Sequence, residues 1–149
     1  MHEPSPRRRS TGFTLVEILI VVVILGILAA IVVPQFSSAT SDAQRSAVQD
    51  QVNKVRKAIA IYYVRSGNVY PNIVPGPGAT SWGEIGPGTS YMRTPPANPW
   101  VGGPNATVII HGTGPDAAYQ TTHGWIFNPA TGQVWAGSCD DDDVPLPRP

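Results

Sequence analysis

Residues 13–33 read FTLVEILIVVVILGILAAIVV, a run of 21 positions with a single charge, Glu17. From Ile18 to Val33 nothing is polar. At about 1.5 Å rise per residue, a helix of this length spans about 30 Å, the hydrocarbon thickness of a bilayer. The β-branched residues would also suit a buried strand, but strands rarely exceed about ten residues, so length decides for a helix. We therefore expect one transmembrane helix over 13–33. Arg7, Arg8 and Arg9 stand immediately before it and place the N-terminal side in the cytoplasm. A secretory signal has an apolar core of about 7–15 residues and a small-x-small cleavage site after it. This run is longer and no polar gap follows it, so an anchor is the stronger reading.

Working outward, Pro34 closes the apolar run, and a different pattern begins. Phe36, Ala39, Ala43, Ala47/Val48, Val52, Val55, Ile59 and Tyr62 recur in steps of three and four, one face of an α-helix. Asp42, Arg45, Asp50, Lys54, Arg56 and Lys57 fill the opposite face, and Asp50–Lys54 is an acid-to-base pair at i,i+4. Ser66-Gly67-Asn68 is a stop signal, with Arg65 in the last turn. One helix is thus expected from Phe13 to about Arg65, some 80 Å at about 1.5 Å per residue. Gly26 and Pro34 are its expected bends, because proline lacks a backbone donor and clashes with the preceding turn.

Composition follows the same division. The chain has 149 residues, 10 Lys+Arg against 10 Asp+Glu, 3 His and 1 Cys. Residues 1–12 carry three Arg and one Glu, net +2, so the remaining 137 carry net −2. Charged residues make up 13%, against about 25% in ordinary soluble domains. Residues 67–149 hold 13 of the 15 Gly and 13 of the 16 Pro. A neutral balance with no basic stripe argues against a nucleic-acid binder, since Arg45, Lys54, Arg56 and Lys57 read as a solvated helix face. One Cys excludes an internal disulfide.

Most of 67–103 reads as turns. Thr107–His111, Tyr119–Phe127 and Gln133–Ala136 read as three short strands separated by Gly/Pro turns. Trp125 and Phe127 share one face and Ile126 takes the other. The expected fold class is α+β: a long N-terminal helix, half transmembrane and half amphipathic, packed against a small antiparallel β-meander head. Val52, Val55, Ile59 and Tyr62 would lie under that sheet.

Other features carry plain and sharp readings. Asp140, Asp141, Asp142 and Asp143 are weak calcium candidates. Four consecutive carboxylates cannot all converge on one ion and the spacing is not an EF-hand, so a solvated acidic, Pro-rich tail is the plainer reading. His111, His123 and Cys139 are a possible zinc trio, but two strand histidines and one Cys are more often unconnected. Trp82, Trp100, Trp125 and Trp135 read as head core and subunit contacts. Asn105-Ala106-Thr107 matches a glycosylation triplet that often arises by chance. Cys139 is either a free thiol or an intermolecular partner. No catalytic constellation and no phosphate loop stand out, so no enzyme activity is expected.

The segment GFTLVEILIVVVILGILAAIVVP (Gly12–Pro34), behind a basic leader, resembles the prepilin processing and methylation segment of type IV pilins and type II secretion pseudopilins. YMRTPPANPWVGG (Tyr91–Gly103) and GWIFNPATGQVWAG (Gly124–Gly137) are similar to the major-pseudopilin subgroup. The resemblance implies a type IV pilin-like fold divided as leader 1–12, transmembrane helix and filament core 13–33, amphipathic helix 34–66, head 67–139 and tail 140–149. It implies cleavage between Gly12 and Phe13 by a prepilin peptidase, N-methylation of Phe13, and a role for Glu17 in assembly. A carboxylate in an apolar span costs about 2.5–3.5 kcal/mol on insertion scales. In a filament it would meet the Phe13 ammonium of a neighbouring subunit.

The implied function is a structural subunit of a helical filament for type II protein secretion, with a type IVa-like surface pilin as the rival. A non-polymerising membrane-anchored binding module is a third reading. Implied partners are further copies, minor pseudopilins or pilins, the peptidase, membrane lipid before assembly, and an inner-membrane platform with a cytoplasmic ATPase. No nucleic acid and no cofactor are expected. The implied location is the inner membrane, with the leader cytoplasmic and the head periplasmic.

Overall fold

The computed structural model describes the backbone of residues 12–149 and the side chains of residues 12–32 and 39–149. Arg7–Arg9 of the leader, and the side chains of Pro34 and Phe36, lie outside the described residues. Helix α1 runs Leu15–Arg65, 51 residues, through both Gly26 and Pro34. The chain divides into two compact units between Thr40 and Ser41.

In the first unit the apolar run is helical, and its described side chains are exposed. Leu15–Val32, 18 residues, is long and apolar enough to cross a membrane. Its large apolar side chains are all exposed, from Leu15 at 82% to Val32 at 43%. Such a surface requires lipid or other protein around it.

The second unit is built on the rest of α1. The three-and-four spacing buries Val48, Val52, Val55, Ala58 and Ile59. Within this unit Ala43 and Ala47 continue the same spacing but are exposed, and full burial of this face begins at Val48. The helix ends as its sequence requires. Gly67 and Asn68 both take left-handed φ, 75° and 67°. The Ser66 amide then donates to the Tyr62 carbonyl at 2.8 Å and the Asn68 amide to that of Tyr63 at 2.9 Å, closing the last turn.

After α1 come two 3₁₀ turns, Ala79–Ile85 and Pro104–Thr107, and three strands: β1 Ile109–His111, β2 Trp125–Phe127 and β3 Val134–Ala136. The expected first strand loses its start to the Pro104 turn. The sheet order is β1-β2-β3. β2 and β3 are antiparallel, joined by the Asn128–Gln133 turn, but β1 pairs with β2 in parallel. The sheet is therefore mixed, not an antiparallel meander. A parallel pair needs a crossover of a dozen or more residues, and the Gly/Pro-rich segment 112–124 supplies it.

Trp125, Phe127, Val134, Ala136 and Ile109 form the inner face and pack with the helix residues, Ile73, Trp82 and Ile85. Trp82 meets Trp125 edge to face, with centroids 5.8 Å apart. The outer face is buried too, at Ile126 and Trp135. All four tryptophans are interior residues, at most 9% exposed.

The expected solvated tail is instead folded onto the head. Arg56 holds Asp143 through two guanidinium contacts, 2.5 and 3.0 Å, and donates to the Val134 carbonyl at 3.2 Å. Trp100 Nε1 donates to the Leu146 carbonyl at 3.0 Å. Arg148 lies 4.2 Å over the Trp100 ring. A cation that composition placed in solvent thus ties helix, sheet edge and C-terminus together.

Candidate functional site

The N-terminal segment is organised by Thr14. This residue precedes the first helical position, and Glu17 stands three residues on, the spacing of a capping box. The Thr14 amide and hydroxyl both donate to Glu17 Oε2 at 2.8 Å, and the Glu17 amide donates to Thr14 Oγ1 at 3.2 Å. The one charged side chain of the apolar run therefore has its partners inside its own turn. Two of the orphan amides of the helix start are satisfied by the same contacts. Gly12 and Phe13 lie ahead of the helix in exposed backbone. Phe13 is 84% exposed, and among the described residues nothing lies within 4 Å of a Cβ built on Gly12. Thr14 was not among the expected site residues, although the Thr-x-x-Glu spacing ahead of an apolar run was a signal for it.

In the head, the stretch Pro96-Ala97-Asn98-Pro99-Trp100 proves to be a fastener. Asn98 is fully buried. Its Nδ2 donates to the Gly124 and Gly137 carbonyls at 3.0 and 2.8 Å, and its Oδ1 accepts from the Trp100 and Val101 amides at 2.9 and 3.4 Å. Trp125 Nε1 donates to the Pro96 carbonyl at 2.9 Å. Gly124 and Gly137 must lack side chains for this approach. A Cβ on the first would run into the Ala106 carbonyl, and one on the second into the His123 carbonyl.

The other candidates separate. The four consecutive aspartates turn to different partners. Asp143 meets Arg56, Asp141 accepts from Trp135 Nε1 at 2.9 Å, and Asp140 accepts from the Asp142 and Val144 amides at 3.0 and 2.8 Å. His111 Nε2 sits 2.8 Å from the Ile73 carbonyl. His123 Nε2 is 3.3 Å from Asp116 Oδ2 but is not aligned for a hydrogen bond. Among the described residues, no group of three or more His, Cys, Asp or Glu is placed to hold a metal ion. Asn105 donates to the Thr121 carbonyl at 2.7 Å.

Cys139 is fully buried. Burial first, then Asp143, Asp140 and Asp116, push its thiol up to about 12, which removes the nucleophilic thiolate that disulfide exchange requires. On the helix side, the Tyr62 hydroxyl donates to Glu84 Oε2 at 2.6 Å and the Asn72 amide at 3.0 Å. These contacts hold the Glu84 carboxyl below its ordinary range.

A capped apolar helix of membrane length and a small folded head fit a single-pass membrane-anchored protein. Residues 7–33 match the family model described as the prokaryotic N-terminal methylation motif. The Type II secretion system core protein G of Pseudomonas aeruginosa is 34% identical over 105 residues, 63% of this chain and 70% of that protein. The protein of the same name from Klebsiella pneumoniae is 32% identical, over 76% of this chain and 91% of its own length. The Type IV major fimbrial protein FimA of Dichelobacter nodosus is 31% identical, over 89% of this chain and 90% of its own. No solved structure matches the chain. The chain belongs to the family of type IV pilins and type II secretion pseudopilins. Members of this family are structural subunits that assemble with others of their kind.

Proposed function

We propose that this chain is a pseudopilin, cut between Gly12 and Phe13 and polymerised into a helical filament that serves type II protein secretion. The observation that carries this reading is the likeness to secretion-system core proteins G across helix and head together. After cleavage, 137 residues would remain, beginning with Phe13. The new Phe13 amino group would be methylated. In the bilayer, the Thr14 contacts would keep Glu17 satisfied. In the filament, Glu17 would pair with the Phe13 ammonium of a neighbour, which offsets part of the desolvation of both groups. The exposed shaft would then exchange lipid for other shafts, with Gly26 and Pro34 as its bending points.

Extraction from lipid needs work from outside. We assign it to a cytoplasmic ATPase acting through an inner-membrane platform, with the leader in the cytoplasm and the head in the periplasm. The role needs no cofactor. The likeness to FimA favours a second reading, a surface fibre for attachment, motility or DNA uptake. Deleting the chain separates the two. Secreted enzymes retained in the periplasm support the pseudopilin. Normal secretion with loss of surface fibres supports the pilin. If neither changes, and Glu17→Ala leaves the protein's behaviour unaltered, the chain is a non-polymerising anchored module.

A further inference from the structure

The second unit presents two unlike flanks to either side of the buried strip of α1. On one flank, Lys57 and Ile61 of the helix and Tyr91, Met92 and Arg93 of the following loop line an open groove of about 570 Å³. Lys57 and Arg93 are exposed, and neither makes an ion pair among the described residues. The Arg65 guanidinium lies 5.8 Å over the Tyr91 ring at the same flank. Asp50 is neutralised by Lys54 at 2.6 Å, and Glu84, bonded only to the neutral donors of Tyr62 and Asn72, leaves one negative charge against the three positive charges of Lys57, Arg65 and Arg93. This flank is therefore a cationic groove with an aromatic wall.

On the other flank, Arg56 and Tyr63 of the helix and Trp135 and Asp141 line a second groove of about 540 Å³. Here the turn Asp140–Asp143 projects. Asp143 is spent on Arg56, which leaves Asp141 and Asp142 exposed at the tip. At 3.6 residues per turn, Lys54, Lys57 and Ile61 lie on average about a third of a turn round the helix from Arg56, Ala60 and Tyr63, on the other side of the buried strip. The basic groove and the acidic turn thus sit on opposite flanks of one rigid unit, each present once per copy.

We infer that the acidic turn Asp140–Asp143 of one copy docks into the Lys57–Arg93 groove of a second copy. This inference rests on the filament reading above and names the head contact within it. The charges are complementary. Because the two patches are on opposite flanks, the contact is heterologous. It leaves a free turn and a free groove at the ends of every pair and repeats from copy to copy, as a helical assembly requires. Exposed charges of this kind set register and encounter more than affinity. The shafts supply adhesion and the heads fix which neighbour is met, so the contact weakens with added salt.

The test uses the full chain in its native membrane. Asp142→Cys and Lys57→Cys are introduced singly and together, then oxidised. The native Cys139 is buried and takes no part. The double variant should give a ladder of disulfide-linked multimers, and each single variant should give none. Independently, Asp142→Lys should lower the yield of sedimentable multimers several-fold, and adding Lys57→Asp should restore it. Multimers of the unaltered chain without a ladder or a charge-swap rescue overturn this contact and leave the filament standing. An unaltered chain that forms no multimers overturns both.

Discussion

Replacing Asn98 by Ala should cost the head a large part of its stability. The side chain makes four hydrogen bonds inside a fully buried site, two to the carbonyls of Gly124 and Gly137 and two from the amides of Trp100 and Val101. Each such bond contributes about 0.5–1.5 kcal/mol net, and a buried group left unpaired costs about 1–3 kcal/mol. A water entering the vacated space would recover part of this. The expected loss is therefore about 3–5 kcal/mol, a fifth or more of the roughly 5–15 kcal/mol that holds a typical domain. Asn98→Asp should be at least as harmful, because a carboxylate oxygen would face two carbonyls where Nδ2 now donates.

The assay is urea unfolding of the detergent-extracted full chain, followed by tryptophan fluorescence. All four tryptophans lie in the head and report its opening. Both variants should shift the midpoint down with little change in slope. A loss under about 1 kcal/mol for Asn98→Ala would refute the fastener account, and the stretch around it would then be only a loop.

Further consequences follow from single contacts. Asp143→Asn and Arg56→Gln should each destabilise the head by about 1–3 kcal/mol, and the double variant by less than their sum in a double-mutant cycle. Thr14→Ala removes an N-cap worth about 1 kcal/mol and one of the two contacts of the Glu17 carboxylate, the one from the hydroxyl; it should lower multimer yield, and Thr14→Ser should restore it. Cys139 in the folded chain should resist alkylation at pH 8 about 1,000-fold relative to the urea-unfolded chain, given a thiol pushed up to about 12. The neutral thiol is favoured by folding, so its contribution is complete below about pH 9 and is lost as pH rises toward 12. Over that range the unaltered chain should lose stability faster than Cys139→Ala.

How far the sequence reveals this molecule depends on the range of the interaction. The long helix is legible because its signals are local: a 21-residue apolar run, then threes and fours to Tyr62, then Gly67 and Asn68 in left-handed turns. The capping box is local as well and was there to be read at Thr14 and Glu17. The parallel pairing of β1 with β2 was hidden, since strand composition does not say which way a Gly/Pro crossover returns. The packed C-terminus was hidden for a stronger reason. Arg56 and Asp143 are 87 positions apart, and each by itself reads as a solvated charge. Asn98 stood inside a stretch already singled out by resemblance, yet its partners at Gly124 and Gly137 exist only once the sheet is assembled. The apolar shaft shows the opposite limit: its sequence is unambiguous, but its neighbours are lipid or other copies.

The central claim is that this chain is a processed filament subunit, and the intact mass of the membrane-extracted protein tests it most directly. The account predicts loss of Met1–Gly12 and the addition of one methyl group, leaving 137 residues that begin with Phe13. A full-length, unmethylated chain of 149 residues as the mature form would contradict it.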